Sequence, residues 1–202
     1  MLGRDPGDTD VLQFPTTSIS LGHTRPTVMQ YRQIDEITKL QPGVCLEGKR
    51  TLHAEEQYLA DHFPRFPVMP GVMMLEALHQ AAVWMIRTGE DFASPLVRLV
   101  ETKNVKFGDF LSPGETLHLY AEKVKEDDQG RVTVKARAEK DGRTTVSARL
   151  ILQKESTNEP EHLGTDAEVI RCAREQFLDL FGPVERYTES QMTDAGTLQT
   201  ST

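Results

Sequence analysis

The chain has little cysteine, no basic excess and no long apolar run, and each shortage removes a class of function. Cys45 and Cys172 are its only cysteines. They lie far apart, outside any C-x-x-C or other metal-type spacing, which excludes a disulfide scaffold or a zinc ribbon. They read as two reduced thiols in a cytoplasmic protein. Lys and Arg number 23 against 31 Asp and Glu, for a net charge of −8. Binding to a phosphate backbone needs a basic surface, so nucleic acid is not the expected partner. The longest apolar stretch, Val72 to Ile86, carries Glu76, His79 and Gln80 and is too short to span a bilayer. Met1 to Pro6 lacks the basic-then-apolar order of a secretory signal.

What is present is 202 residues, 38% hydrophobic and 27% charged. That suffices for one globular domain with a core, flanked by polar ends. Residues 1–28, rich in Asp, Gly, Pro, Thr and Ser, read as a flexible arm, and a globular domain is expected over 29–155. Ile34, Ile37 and Leu40 recur every third residue, a weak helical signal that Pro42-Gly43 ends. Val44, Leu46, Gly48, Arg50 and Leu52 follow as a strand, and His53 to Asp61 as a loop or short turn. Pro70-Gly71 opens a helix expected to run to about Arg87 and stop at Thr88-Gly89. It is apolar on almost every face and must be buried.

Beyond it the period switches to two. Val97, Leu99, Val105 and Phe107, then Leu117, Leu119 and Ala121, then Val132, Val134, Ala136 and Ala138, then Val146, Ala148, Leu150 and Leu152 alternate with polar neighbours. Asp141-Gly142 marks a two-residue hairpin. The second half is therefore an antiparallel meander with one apolar face, giving an α+β fold. A capping box, Thr165-Asp166-Ala167-Glu168, opens a further helix. Its stripe of Ile170, Ala173, Phe177, Leu180 and Phe181 should dock on the domain or on a partner. This helix lies in an expected C-terminal extension, 156–184, and residues 185–202 read as a disordered tail.

Chemistry concentrates between His62 and Glu76. A carboxylate within an apolar helix must find a partner or raise its pKa and take a proton, and a protonated carboxylic acid can serve a leaving group. The alternative is a wet notch in which Glu76, His79 and Gln80 all meet solvent. His62 precedes Phe63-Pro64 in a loop stiffened further by Pro67 and Pro70, which hold the imidazole in one pose. The unpaired N–H groups at Gly71-Val72 could polarise a carbonyl oxygen. Base, acid and polarising helix end point to proton abstraction beside a carbonyl, coupled to loss of a β-hydroxyl.

The run His62-Phe63-Pro64-x-x-Pro67-Val68-Met69-Pro70-Gly71-Val72-Met73-Met74-Leu75-Glu76-Ala77-Leu78-x-Gln80 resembles the signature of the bacterial β-hydroxyacyl-acyl-carrier-protein dehydratases. Lys103 to Thr116 resembles that family's strand-turn-strand, and the likeness spans about Tyr31 to Lys154. Glutamate at 76 matches the general dehydratase rather than the dehydratase/isomerase, which has aspartate there. The resemblance implies a hot-dog fold, an antiparallel sheet wrapped around a central helix, and a homo-oligomer, either a dimer or a trimer of dimers. It implies that His62 of one protomer takes the α-proton and Glu76 of the other protonates the departing hydroxyl. Gly71 N–H would bind the thioester carbonyl, with Val72 and Gln80 in support. Pro67 and Met69, with Arg65 and Phe66, would line the substrate tunnel or its entrance. No cofactor or metal is implied, and the partner is an acyl-carrier-protein-bound substrate. Arg65-Phe66 stands where the family commonly has Gly-His, Gly108-Asp109-Phe110 replaces a basic turn, and Met29 to Leu40 matches the family's entry segment poorly. These mark a divergent paralogue, with a non-catalytic hot-dog subunit that binds acyl-carrier protein or a partner enzyme as the alternative and a hot-dog thioesterase as the weaker third. Arg65, Arg87, Arg98, Lys103 and Lys106 read either as a docking patch for an acidic carrier or as an ordinary mixed surface.

Overall fold

The computed structural model describes residues 31–157 and 165–187. The arm expected over 1–28 and the tail from 188 onward lie outside the described residues. Six strands form one antiparallel sheet: β1 Glu36–Gln41, β2 Cys45–Thr51, β3 Leu96–Phe107, β4 Thr116–Glu126, β5 Arg131–Lys140 and β6 Arg143–Glu155. Their spatial order is β1-β2-β4-β5-β6-β3, so β1 and β3 are the edges. Helix α1, Gly71–Gly89, lies in the curl of this sheet, and α2, Asp166–Phe181, packs outside.

Alternation drives the sheet. Leu117, Leu119 and Ala121 on β4, Val132, Val134, Ala136 and Ala138 on β5, and Val146, Ala148, Leu150 and Leu152 on β6 are all buried. They meet Met74, Ala77, Leu78, Ala81, Ala82, Met85 and Ile86 of α1 in one core. A helix apolar all round needs cover on every side, and a sheet apolar on one face supplies it by curling. The β5–β6 hairpin turns through Asp141 (φ 50°) and Gly142 (φ 74°). Two successive positive φ values are what a two-residue hairpin turn requires, hence Asp-Gly.

β3 departs from the alternating pattern expected of it. Val97 is its only buried residue, and Phe107 is 54% exposed. Among the described residues the strand pairs with β6 alone and leaves its other edge open.

The segment expected as helical from Ile34 to Leu40 is instead mostly β1. Ile37 and Leu40 are both buried, three apart, because the pairing with β2 shifts register between Ile37 and Lys39. The irregularity adds a residue between two inward positions and so imitates a helical spacing.

α1 runs two residues past its expected end, because Gly89 is part of its close packing. The Gly43 N–H donates to Met85 O (3.0 Å), and a Cβ on Gly89 would lie 2.3 Å from Gly43 Cα. Backbone cannot yield as a side chain does. Gly89→Ala is therefore expected to cost about 2–3 kcal/mol by overpacking and to lower Tm by roughly 5–10 °C. Thermal unfolding followed by circular dichroism checks this.

α2 begins with the expected capping box: Glu168 N–H donates to Thr165 Oγ1 (3.4 Å), and Thr165 N–H donates to Glu168 Oε2 (2.8 Å). Its Ala173, Phe177 and Phe181 are buried on the domain itself, against Trp84 of α1 and Phe92. Residues 185–187, the expected start of the tail, are among the described residues. Tyr187 is 5% exposed, and its hydroxyl donates to Phe181 O (2.8 Å). Among the described residues, no helix is long and apolar enough to cross a membrane.

Candidate active site

The first turn of α1 is built by Pro70, which caps it without a side-chain hydrogen bond. Met73 and Met74 N–H donate to Pro70 O (2.9 and 3.3 Å). The Gly71 and Val72 amides are left without a backbone acceptor among the described residues, as the first turn of a helix dictates. Gly71 sits under the Phe107 ring, and a Cβ there would meet it at 3.0 Å. Val72 is 68% exposed.

One turn further on stands Glu76, 38% exposed. Gln80 Nε2 donates to Glu76 Oε1 (2.8 Å) and to Tyr31 O (2.9 Å), while Gln33 N–H donates to Gln80 Oε1 (2.8 Å). His79 Nδ1 lies 3.1 Å from Glu76 Oε2. Both carboxylate oxygens are therefore engaged. Burial pushes this carboxyl up, but the hydrogen bonds from His79 and Gln80, with the His79 charge, outweigh it and hold the group below its ordinary value in the single protomer. Of the two outcomes open to a carboxylate in an apolar helix, a partner or a raised pKa, Glu76 takes the first. The wet-notch alternative is corrected, since Gln80 is only 4% exposed.

Glu76, His79 and Arg87 open onto a groove of about 490 Å³, closed on its other side by Leu96, Val97, Arg98 and Leu99 of edge strand β3. Two polar atoms near it, His79 Nε2 and Arg87 Nε, are buried without a hydrogen bond among the described residues. Such atoms cost free energy unless something pairs with them.

His62 stands elsewhere. Its N–H donates to Tyr58 O (3.0 Å) at the end of a one-turn 3₁₀ helix, Gln57–Ala60, and its ring stacks edge-on against Phe63 (4.6 Å between centroids). No hydrogen bond or ion pair joins it to Glu76 of the same chain among the described residues. The structure thus joins Glu76, Gln80 and His79 by hydrogen bonds and does not join the expected base to them by one among the described residues.

Arg65, Phe66 and Pro67 are exposed, with Phe66 packed edge-on against Phe110 (6.1 Å), whereas Met69 is buried in the core. The five-residue basic patch does not hold together. Arg87 is turned inward, over the Trp84 ring, and donates to Pro95 O (3.1 Å). Arg98 pairs with Glu155 and Lys103 with Glu101.

Sequence reasoning missed His79, Gln33 and Arg50 as parts of the site. His79 carried a signal in its i, i+3 spacing from Glu76. Arg50 carried one in being a charge at an inward position of an alternating strand.

A curled antiparallel sheet around an apolar helix, with a clamped carboxylate on that helix beside edge strand β3, defines a hot-dog fold. The sequence model of the FabA-like domain matches residues 26–149. The 3-hydroxyacyl-[acyl-carrier-protein] dehydratase FabZ of Lactiplantibacillus plantarum is 36% identical over 104 residues, covering 51% of this chain and 71% of that protein. The FabZ of Dechloromonas aromatica is 31% identical over 124 residues, covering 60% and 85%. Among solved structures, the dehydratase heterocomplex ApeI:P from Xenorhabdus doucetiae matches the fold with a TM-score of 0.55 at 16% identity, over 68% of this chain and 92% of that one. The chain belongs to the FabA-like family and, within it, to the FabZ-like hot-dog dehydratases.

Proposed function

We propose that the chain is a cytoplasmic hydro-lyase that converts β-hydroxyacyl thioesters on acyl carrier protein to trans-2-enoyl thioesters in fatty-acid synthesis, and that it works as a homo-oligomer built from dimers. The observation that carries this reading is the placement of Glu76. It is oriented by Gln80 and His79, faces a groove along a strand edge unpaired among the described residues, and makes no hydrogen bond or ion pair with His62 of its own chain among them. A second protomer laid along β3 supplies the missing base.

His62 then takes the α-proton, and the C–H electron pair becomes the new C=C bond. Gly71 N–H and the positive end of α1 stabilise negative charge on the thioester oxygen as it builds. The β-C–O bond breaks, and the departing hydroxyl takes a proton from the partner's Glu76 and leaves as water. His62 returns its proton to solvent, and Glu76 regains one. The lowered pKa of Glu76 belongs to the open protomer. A second protomer over the groove removes the water reaching the carboxyl, and burial of that kind raises a carboxylic pKa toward the working range of an acid.

The test is incubation with a β-hydroxyacyl thioester, watching for the conjugated enoyl product. Wild-type protein should form it, and His62→Ala and Glu76→Gln should each lose about 10²–10⁴ in rate. Tight carrier binding without turnover would replace this reading with a non-catalytic subunit. Release of free thiol without enoyl product would point to a thioesterase.

A further inference from the structure

Arg50 is 4% exposed on β2, turned into the protein beside Gln33, which is 2% exposed. A buried guanidinium is a poor stabiliser, since desolvation offsets most of its attractions. What this one does is join two segments. Its Nε donates to Gln33 Oε1 (3.0 Å), and its Nη2 donates to both oxygens of Glu56 (2.5 and 2.6 Å). Nη1 donates to Thr51 O (2.5 Å) and lies 3.6 Å from Asp35 Oδ1.

Each arm leads to one half of the chemistry. Along the first, Arg50 fixes Gln33, whose N–H donates to Gln80 Oε1 (2.8 Å), and Gln80 Nε2 then donates to Glu76 (2.8 Å). The Tyr31 carbonyl takes the other Gln80 N–H (2.9 Å). A flipped Gln80 would face its oxygen toward the Tyr31 carbonyl and the Glu76 carboxylate, so the 31–33 segment dictates that Glu76 Oε1 meets a donor. Along the second arm, Glu56 immediately precedes the 3₁₀ turn, whose Tyr58 carbonyl accepts the His62 N–H (3.0 Å).

We infer that Arg50 is a positioning residue serving both catalytic half-sites at once, with Gln33 as its link to the acid and Glu56 as its link to the base. The inference rests on the dehydratase reading given above. A planar fork is required because the two arms leave in different directions, and a lysine ammonium cannot hold both in fixed geometry. A misplacement of about 1 Å at a catalytic group can cost about 10²-fold in rate.

Turnover of a β-hydroxyacyl thioester by Gln33→Met, Glu56→Gln and Arg50→Lys tests it. The first two should lower kcat about tenfold and Arg50→Lys about 10²-fold, each with KM within about twofold of wild type. Because Gln33 acts through Gln80, Gln33→Met should have no further effect in a Gln80→Leu background. Gln33→Met removes one acceptor with little change of volume, so it keeps the test open if Arg50→Lys fails to fold. Unchanged kcat in folded Gln33→Met and Glu56→Gln would overturn the inference, as would the same loss for Gln33→Met with and without Gln80. Either result leaves the dehydratase assignment standing, whereas wild-type protein that forms no enoyl product overturns both.

Discussion

Co-expression of His62→Ala with Glu76→Gln will restore about a quarter of wild-type dehydration, although each variant alone is nearly inactive. The number follows from symmetry. In the proposed two-fold dimer each site would take His62 from one protomer and Glu76 from the other. A mixed dimer therefore has one site with both residues altered and one with both intact. Random pairing makes about half of the dimers mixed, and half of their sites work. If His62 and Glu76 of one chain formed a site together, no mixture would hold an intact one, and activity would stay at the level of the single variants. The geometry favours the shared arrangement. Glu76 faces a groove bounded by β3, whose far edge is unpaired among the described residues, and His62 makes no hydrogen bond or ion pair with Glu76 of its own chain among those residues. Two atoms beside that groove, His79 Nε2 and Arg87 Nε, lack hydrogen bonds among the described residues of the single protomer. Quantifying enoyl product from the unfractionated co-expressed protein, with the single variants as baselines, decides between the two arrangements.

The sequence made the helix, the meander and the Asp-Gly hairpin legible because each rests on a local pattern: period 3.6, period 2, and two residues suited to positive φ. β1 was misread because a register shift at Ile37/Lys39 turned a strand's spacing into three. The carboxylate Glu76 stood out as an oddity, but its protonation did not follow. Desolvation was visible in the apolar run, whereas the opposing hydrogen bonds came from His79 on the same helix and from a Gln80 fixed by residues 47 to 49 positions away. Arg50 shows the same limit. An inward charge on a strand was readable, but the Gln33 and Glu56 that satisfy it meet only in the folded chain.

Phe177→Ala is expected to destabilise the protein by about 3–5 kcal/mol and to lower Tm by roughly 10 °C or more. Phe177 is 2% exposed, packs edge-on against Trp84 and Phe92, both 5.6 Å away between centroids, and lies tilted against Phe181 at 5.4 Å. It secures more than its own area. The turn that ends α1 holds Asp91 at φ 48° and Phe92 at φ 60°, a left-handed conformation that costs a non-glycine residue energy. α2 holds that turn from outside, because Arg174 donates to the Asp91 carboxylate (2.8 Å) and its guanidinium lies over the Phe92 ring. Removing the Phe177 ring opens a cavity and frees the strained turn together. The effect on chemistry should be smaller. Trp84 lies eight residues beyond Glu76, about 12 Å along the helix axis, and the Glu76–Gln80 contact lies on the near side of it. Denaturant unfolding of Phe177→Ala, paired with a turnover assay well below its Tm, separates the two effects. An unchanged midpoint would mean that α2 contributes nothing to the folded domain in solution. A collapse of turnover in protein that remains folded would mean that the aromatic cluster reaches the site.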